Sequence, residues 1–133
     1  MSDEYKDMYN DILTALNAKM WEADLLPDGW TSTFIPELKK ELANALGSYA
    51  DDFTVFQIKD KYGAIRIYWS WADRAYDDNE IQDLKELTKE IDSIIAKYAQ
   101  ISEKTCVICG AEATTTTTGW VMPMCTNCFK NGV

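Results

Sequence analysis

Histidine is missing altogether from the 133 residues. With it go the commonest general base and the commonest neutral metal ligand, so Ser–His and Cys–His nucleophiles are excluded. Basic side chains are also scarce. Thirteen Lys and Arg face twenty-two Asp and Glu, a net charge of −9. The deficit falls on residues 1–100, which hold eleven of the former and twenty of the latter. Phosphate binding draws on clustered Lys and Arg, so direct nucleic-acid binding is not the expectation for this part. A basic protein surface is the better match, with acidity serving solubility alone as the competing explanation. No apolar run approaches the roughly 20 residues of a membrane span. The opening residues carry neither the basic nor the apolar region of a signal peptide. A soluble, cytoplasmic protein without a membrane partner is expected.

Cysteine is sparse too, but all four are used in one pattern. Cys106, Cys109, Cys125 and Cys128 form C-x2-C-x15-C-x2-C, a spacing of structural zinc sites. Thiolates at i and i+3 of a tight turn both reach one ion, and two such turns complete a tetrahedron. Gly110 directly after the first pair suits the positive φ of a knuckle turn. Two disulfides, or a redox Cys-x-x-Cys, are the alternatives. Four thiolates leave no open position for water, which makes one structural zinc the expected cofactor rather than a catalytic one.

The chain as a whole has 47% apolar residues, enough for a core. Over residues 3–24, Tyr5, Met8, Tyr9, Ile12, Leu13, Leu16, Met20 and Trp21 recur at helical spacing. Leu26-Pro27-Asp28-Gly29 reads as a turn. A second helix is expected over residues 35–48, capped by Ser32 or Thr33 and ended by Gly47; the two should form a helical hairpin. Residues 53–59 and 64–71 read as a β-hairpin around Asp60-Lys61-Tyr62-Gly63. Pairing Ile58 with Ile65, Phe56 with Ile67 and Thr54 with Trp69 gathers the apolar set on one face. Val55, Gln57, Lys59, Arg66 and Tyr68 then form an outer face that a partner, or the cysteine module, could cover. A long helix is expected from Asn79, capped with Gln82, to about Gln100. The acids Asp77, Asp78, Glu80 and Asp83 at its start favour a helix N-terminus and could also meet a basic partner. The threonines at 114–118 read as an edge strand, returning through Trp120, Val121 and Met122. Trp120, Val107 and Ile108 are the expected docking residues. The fold class is therefore α+β: a helical hairpin, a β-hairpin and a long helix, then a small C-terminal zinc ribbon. The expected division is an acidic body over 1–103 and a four-cysteine zinc-ribbon module over 104–133.

Gln57-Ile58-Lys59-Asp60-Lys61-Tyr62-Gly63-Ala64-Ile65-Arg66-Ile67-Tyr68-Trp69, followed by an acidic helix and the paired Cys-x-x-Cys end, resembles a group of small phage and prophage proteins. Their hairpin runs closer to Q-I-K-E-K-F-G-G-L-R-F-Y, from which Tyr62, Ala64 and Ile67 depart conservatively. The resemblance spans about residues 50–130 and carries no activity with it. It implies a phage setting, in which small acidic proteins block host defence, anti-CRISPR proteins among them. The expected function is non-enzymatic. The chain would occupy a basic surface of a host protein or a CRISPR or other defence nuclease, through Asp77, Asp78, Glu80 and Asp83 or through Lys59, Arg66 and Tyr68. The alternative is a zinc-ribbon adaptor or transcriptional regulator that contacts nucleic acid or RNA polymerase.

Overall fold

The computed structural model describes residues 3–117 and 121–130. Helix α1 spans Asp3–Lys19 and gives way to a 3-10 turn over Trp21–Leu25. The expected apolar stripe is divided. Leu16 and Met20 are buried and Tyr9, Ile12 and Leu13 pack beside them, but Met8 and Trp21 face solvent. The tighter 3-10 winding rotates Trp21 off the face a continuing helix would have given it. The side chain of Tyr5 and all of Trp120 lie outside the described residues.

The segment expected as a turn instead forms a short helix, α2, over Asp28–Thr31, with Pro27 as its cap. Helix α3 follows over Ile35–Leu46, starting after Phe34 with no side-chain cap. Thr33, an expected cap, donates its hydroxyl backwards to the Gly29 carbonyl at 2.6 Å instead. Gly47 ends α3 at φ 51°, and a second 3-10 turn covers Gly47–Asp52. Lys19 at the end of α1 donates to the carbonyls of Ala50, Asp51 and Phe53 at 2.7–3.1 Å. That ammonium fixes α1 to the entrance of the hairpin.

Strand β1 (Phe53–Lys61) runs two residues past its expected end, β2 (Ala64–Trp71) has the expected bounds, and the two pair in a different register. Ile58 faces Ile67 rather than Ile65, and Lys59 faces Arg66. The cause is the turn: only Tyr62 and Gly63 lie between the strands, at φ 55° and 80°, the positive-φ pair a two-residue hairpin loop demands. A β-bulge between Val55 and Gln57 reverses the pleat. Phe56, expected in the core, is therefore 65% exposed, while Val55 turns inward. Phe53, Trp69 and Trp71 pack ring against ring beneath the strand ends, with centroids 5.0–6.4 Å apart.

Helix α4 runs over Asp78–Glu103. Its cap is Asp77 paired with Glu80, not Asn79 with Gln82: Asp77 accepts from the Glu80 N–H, and Glu80 accepts from the Asp77 N–H. Leu84, Leu87, Ile91 and Tyr98 are buried as the stripe requires, whereas Ile81 is exposed. Trp69 and Trp71 donate their indole N–H groups to Asp92 and Thr88, at 3.1 and 2.9 Å. Near the far end, the buried Ser102 hydroxyl accepts from the Ile65 N–H at 3.0 Å. The hairpin's backbone is thus satisfied partly by α4, as buried polar groups must be. Among the described residues, no helix is long and apolar enough to cross a membrane.

The cysteine segment contributes β3 (Thr115–Thr116), β4 (Pro123–Met124) and a short helix α5 (Thr126–Lys130). Of the described threonines, 114–117, Thr115 and Thr116 are strand, and Pro123 lies within β4, opposite Thr116; Thr118 lies outside the described residues. The expected division at residue 103 falls inside one continuous core. Cys106, Val107 and Met124 belong to the same buried cluster as Trp30, Leu42, Phe53 and Ile91. Each large apolar side chain so buried contributes about 1.5–3 kcal/mol. Residues on both sides of position 103 contribute to that cluster.

Candidate metal centre

The site is built from two turns held by the body. In the first, Cys106 donates its N–H to the Ala111 carbonyl at 2.8 Å, and Gly110 donates to the Cys106 carbonyl at 3.0 Å. Gly110 takes φ 81°, where a side chain would be strained. Behind this knuckle, Thr105 bridges Glu112 and the Ala113 N–H reaches the Lys104 carbonyl. The second turn begins as β4 delivers Cys125. Helix α5 then folds back, so that the Cys128 N–H points at the Cys125 sulfur, 3.4 Å away. The hydroxyls of Thr114 and Thr126, 2.7 Å apart, tie the residue before β3 to the start of α5.

The four Sγ atoms lie within 4.8 Å of one another and could hold a metal ion. All are separate thiols; Cys109 and Cys125 stand 3.6 Å apart, far beyond the ~2.05 Å of a disulfide. Sulfurs 2.3 Å from a tetrahedral centre sit about 3.8 Å from each other, so the cluster fits such an ion. The thiols differ in how easily they ionise. Burial pushes Cys106 up, but the backbone N–H groups of Cys109, Cys125 and Ile108 outweigh it and bring Cys106 to about 6. Cys128, hydrogen-bonded by Cys125 and partly desolvated, is pushed up to about 12. Like charges this close oppose full ionisation, which a cation would permit.

What sequence reasoning missed is the seat beneath the first knuckle. Gly29 of α2 donates to the Val107 carbonyl at 2.8 Å, and the Trp30 indole donates to the Thr105 carbonyl at 3.0 Å. A Cβ on Gly29 would lie 2.8 Å from both the Gly110 nitrogen and the Val107 carbonyl carbon, and closer still to the Cys106 carbonyl oxygen. A Cβ on Gly110 would strike the Thr33 methyl. Two glycines more than eighty residues apart let backbone press on backbone at the cysteine turn. No local signal marks Gly29 for this. Asp28-Gly29 reads as a turn because the pressing surface lies far along the chain. Of the expected docking residues, Val107 is buried and Ile108 is 41% exposed. Val121 and Pro123 lie against Gly63 at the hairpin turn.

The other expected site residues fall in two places. Asp77 and Glu80 form the α4 cap. Arg74 holds Asp52 through two hydrogen bonds of 2.8 Å and Glu80 through one of 2.9 Å. Those bonds to Arg74 hold both carboxyls below their ordinary values. Asp83 accepts from the Tyr49 hydroxyl at 2.8 Å, which pushes Tyr49 up to about 12. Asp78 is exposed in the first turn. Lys59, Arg66 and Tyr68 share the outer face of the hairpin as expected, because the register change moves pairing by two residues and keeps that side. Lys59 lies over the Tyr68 ring, 5.5 Å from its centroid.

Against this geometry, no protein-family model, no curated protein and no solved structure matches the chain.

Proposed function

We propose that the chain is a non-enzymatic binding protein, stabilised by one structural zinc, that occupies a basic surface on a host protein. The ligand chemistry supports zinc. Four thiolates and no histidine in the sequence make a soft, closed tetrahedral set. Cys106, Cys109, Cys125 and Cys128 would hold the ion, which supplies cross-linking of the two turns rather than chemistry. The observation that carries the binding role is the acid exposed along α4. Asp77, Asp78, Asp83, Glu86 and Glu90 all face solvent on one helix of a chain with charge −9. A surface of that sign speeds association with basic partners and repels wrong ones. In the phage setting that the resemblance implies, a defence nuclease complex, CRISPR included, offers such a basic channel in the host cytoplasm.

The test is affinity capture from host lysate, followed by surface plasmon resonance against the recovered protein. Asp77 and Glu80 are unsuitable for substitution because they cap α4 and bind Arg74. Asp78→Asn, Glu86→Gln and Glu90→Gln together should slow association more than they speed dissociation, and rising salt should weaken binding. Salt-independent binding with unchanged association would remove the acidic face from the mechanism.

A further inference from the structure

We propose that the outer face of the β1–β2 hairpin, with the groove between β2 and α4, docks an acidic polypeptide segment that also carries apolar side chains. This goes beyond the acidic-face reading and does not rest on it: the molecule has a second binding face of opposite sign.

The charges point there first. In a chain with nine more acids than bases, Lys59, Lys61 and Arg66 make no ion pair among the described residues. Lys85, Lys89, Lys104 and Lys130 take no carboxylate there either, so what sets these three apart is that they gather on one face of the hairpin. Lys59 and Arg66 stand directly opposite each other across the ladder, a like-charge pair that costs stability unless an anion joins it. Lys61 follows two residues after Lys59, about 7 Å along the same face. Aromatic rings accompany the cations. Lys59 lies over Tyr68 and Lys61 over Tyr62, at 5.5 and 5.4 Å; the rings are 43% and 74% exposed. Tyr and Arg are the residue types that dominate binding energy at protein interfaces.

The groove adds an apolar element. Arg66 and Tyr68 form one bank and Ile95, Ala96 and Ala99 of α4 the other, around an open space of about 450 Å³. Two alanines, where longer side chains would close the space, leave room for an apolar residue of the incoming segment. Asp92 on the same bank is engaged by the Trp69 indole. Carboxylates for three cations and an apolar side chain for the groove together describe an acidic, partly apolar peptide. Three cations against a net charge of −9 make a poor track for a phosphate backbone, and an apolar groove adds nothing to one.

A random peptide display library panned on the zinc-loaded full chain tests this. Enriched peptides are then synthesised with a fluorescent label and measured by anisotropy. The enriched sequences should be acidic with interspersed Leu, Ile or Phe. Their affinity should fall about tenfold or more in Lys59→Ala/Arg66→Ala, and again in Ala96→Leu, which fills the groove at an exposed helical position and leaves the circular dichroism unchanged. Lys40→Ala, which removes an exposed cation on α3 far from this face, should bind as wild type does. No enrichment, enrichment of basic peptides, or affinity indifferent to both variants would overturn the proposal. A labelled single-stranded oligonucleotide serves as the parallel probe. Its tight binding, lost in the same variants, would assign the face to nucleic acid and overturn the peptide reading.

Discussion

Gly29→Ala is the substitution on which the joint between body and cysteine module turns. Its new Cβ would meet three backbone atoms of the first knuckle: the Cys106 carbonyl oxygen, the Gly110 nitrogen and the Val107 carbonyl carbon, the last two at 2.8 Å. Backbone cannot swing aside as a side chain does, so the knuckle must lift away from α2. Overpacking of this kind costs about 1–3 kcal/mol. Lifting also stretches the Gly29–Val107 hydrogen bond and the Trp30–Thr105 bond, each worth about 0.5–1.5 kcal/mol. The expected loss is about 2–4 kcal/mol, or roughly 6–15 °C in Tm for a chain of this size. Because the displaced atoms belong to Cys106 and its neighbours, metal affinity should fall with stability. Gly47→Ala is the control. Gly47 has positive φ with ψ −126°, a region that favours glycine, but nothing lies within 4 Å of its Cβ position, so backbone strain of about 1–3 kcal/mol is the whole expected cost and metal affinity should not change. Calorimetry with a chelator titration on both variants decides it. Gly29→Ala with wild-type Tm and metal retention would refute the seat beneath the knuckle.

Gly110→Ala should likewise destabilise, through its positive φ and the Thr33 methyl. Adding Thr33→Ser, which removes the methyl and keeps the hydroxyl bond to Gly29, should restore part of the lost Tm, and full additivity in the double-mutant cycle would contradict the contact. A chain ending at Glu103 should lose its cooperative melt, since Cys106, Val107 and Met124 leave the core and the Trp30 indole loses Thr105; a cooperative melt would restore the division at 103. Arg74→Ala should lower Tm at neutral pH. The folded Asp52 and Glu80 carboxyls titrate below their unfolded values, so their contribution is present above about pH 4 and lost as pH falls further. Wild type and variant should therefore converge in thermal melts as pH falls through the folded titration of these carboxyls, and a constant gap would argue against the network.

The three long helices, the hairpin and the four cysteines were legible because each follows from a local period or spacing, whereas the short α2 and α5 were not. Leu38, Leu42 and Leu46 recur at four, and the paired Cys-x-x-Cys needs no tertiary information. Choices between local solutions of similar quality were not legible. Asp77/Glu80 and Asn79/Gln82 both satisfy the capping-box pattern, and Arg74 decides between them by binding Glu80. In the hairpin, a four-residue turn and the Tyr62-Gly63 turn compete. The shorter one requires a tyrosine at φ 55°, which propensity alone does not favour. The bulge at Val55 and Gln57 lets Phe53, Val55 and Ile58 face inward together, and it sends Phe56 out. Gly29 was hidden for a different reason, since its partner backbone is more than seventy residues away.

Native mass spectrometry of the chain purified without added metal tests the central claim most directly. One zinc per chain is the predicted mass, with all four thiols unmodified after denaturation, and Cys109→Ser should lose the ion along with the cooperative fold. A folded chain without metal, carrying disulfides among Cys106, Cys109, Cys125 and Cys128, would contradict it.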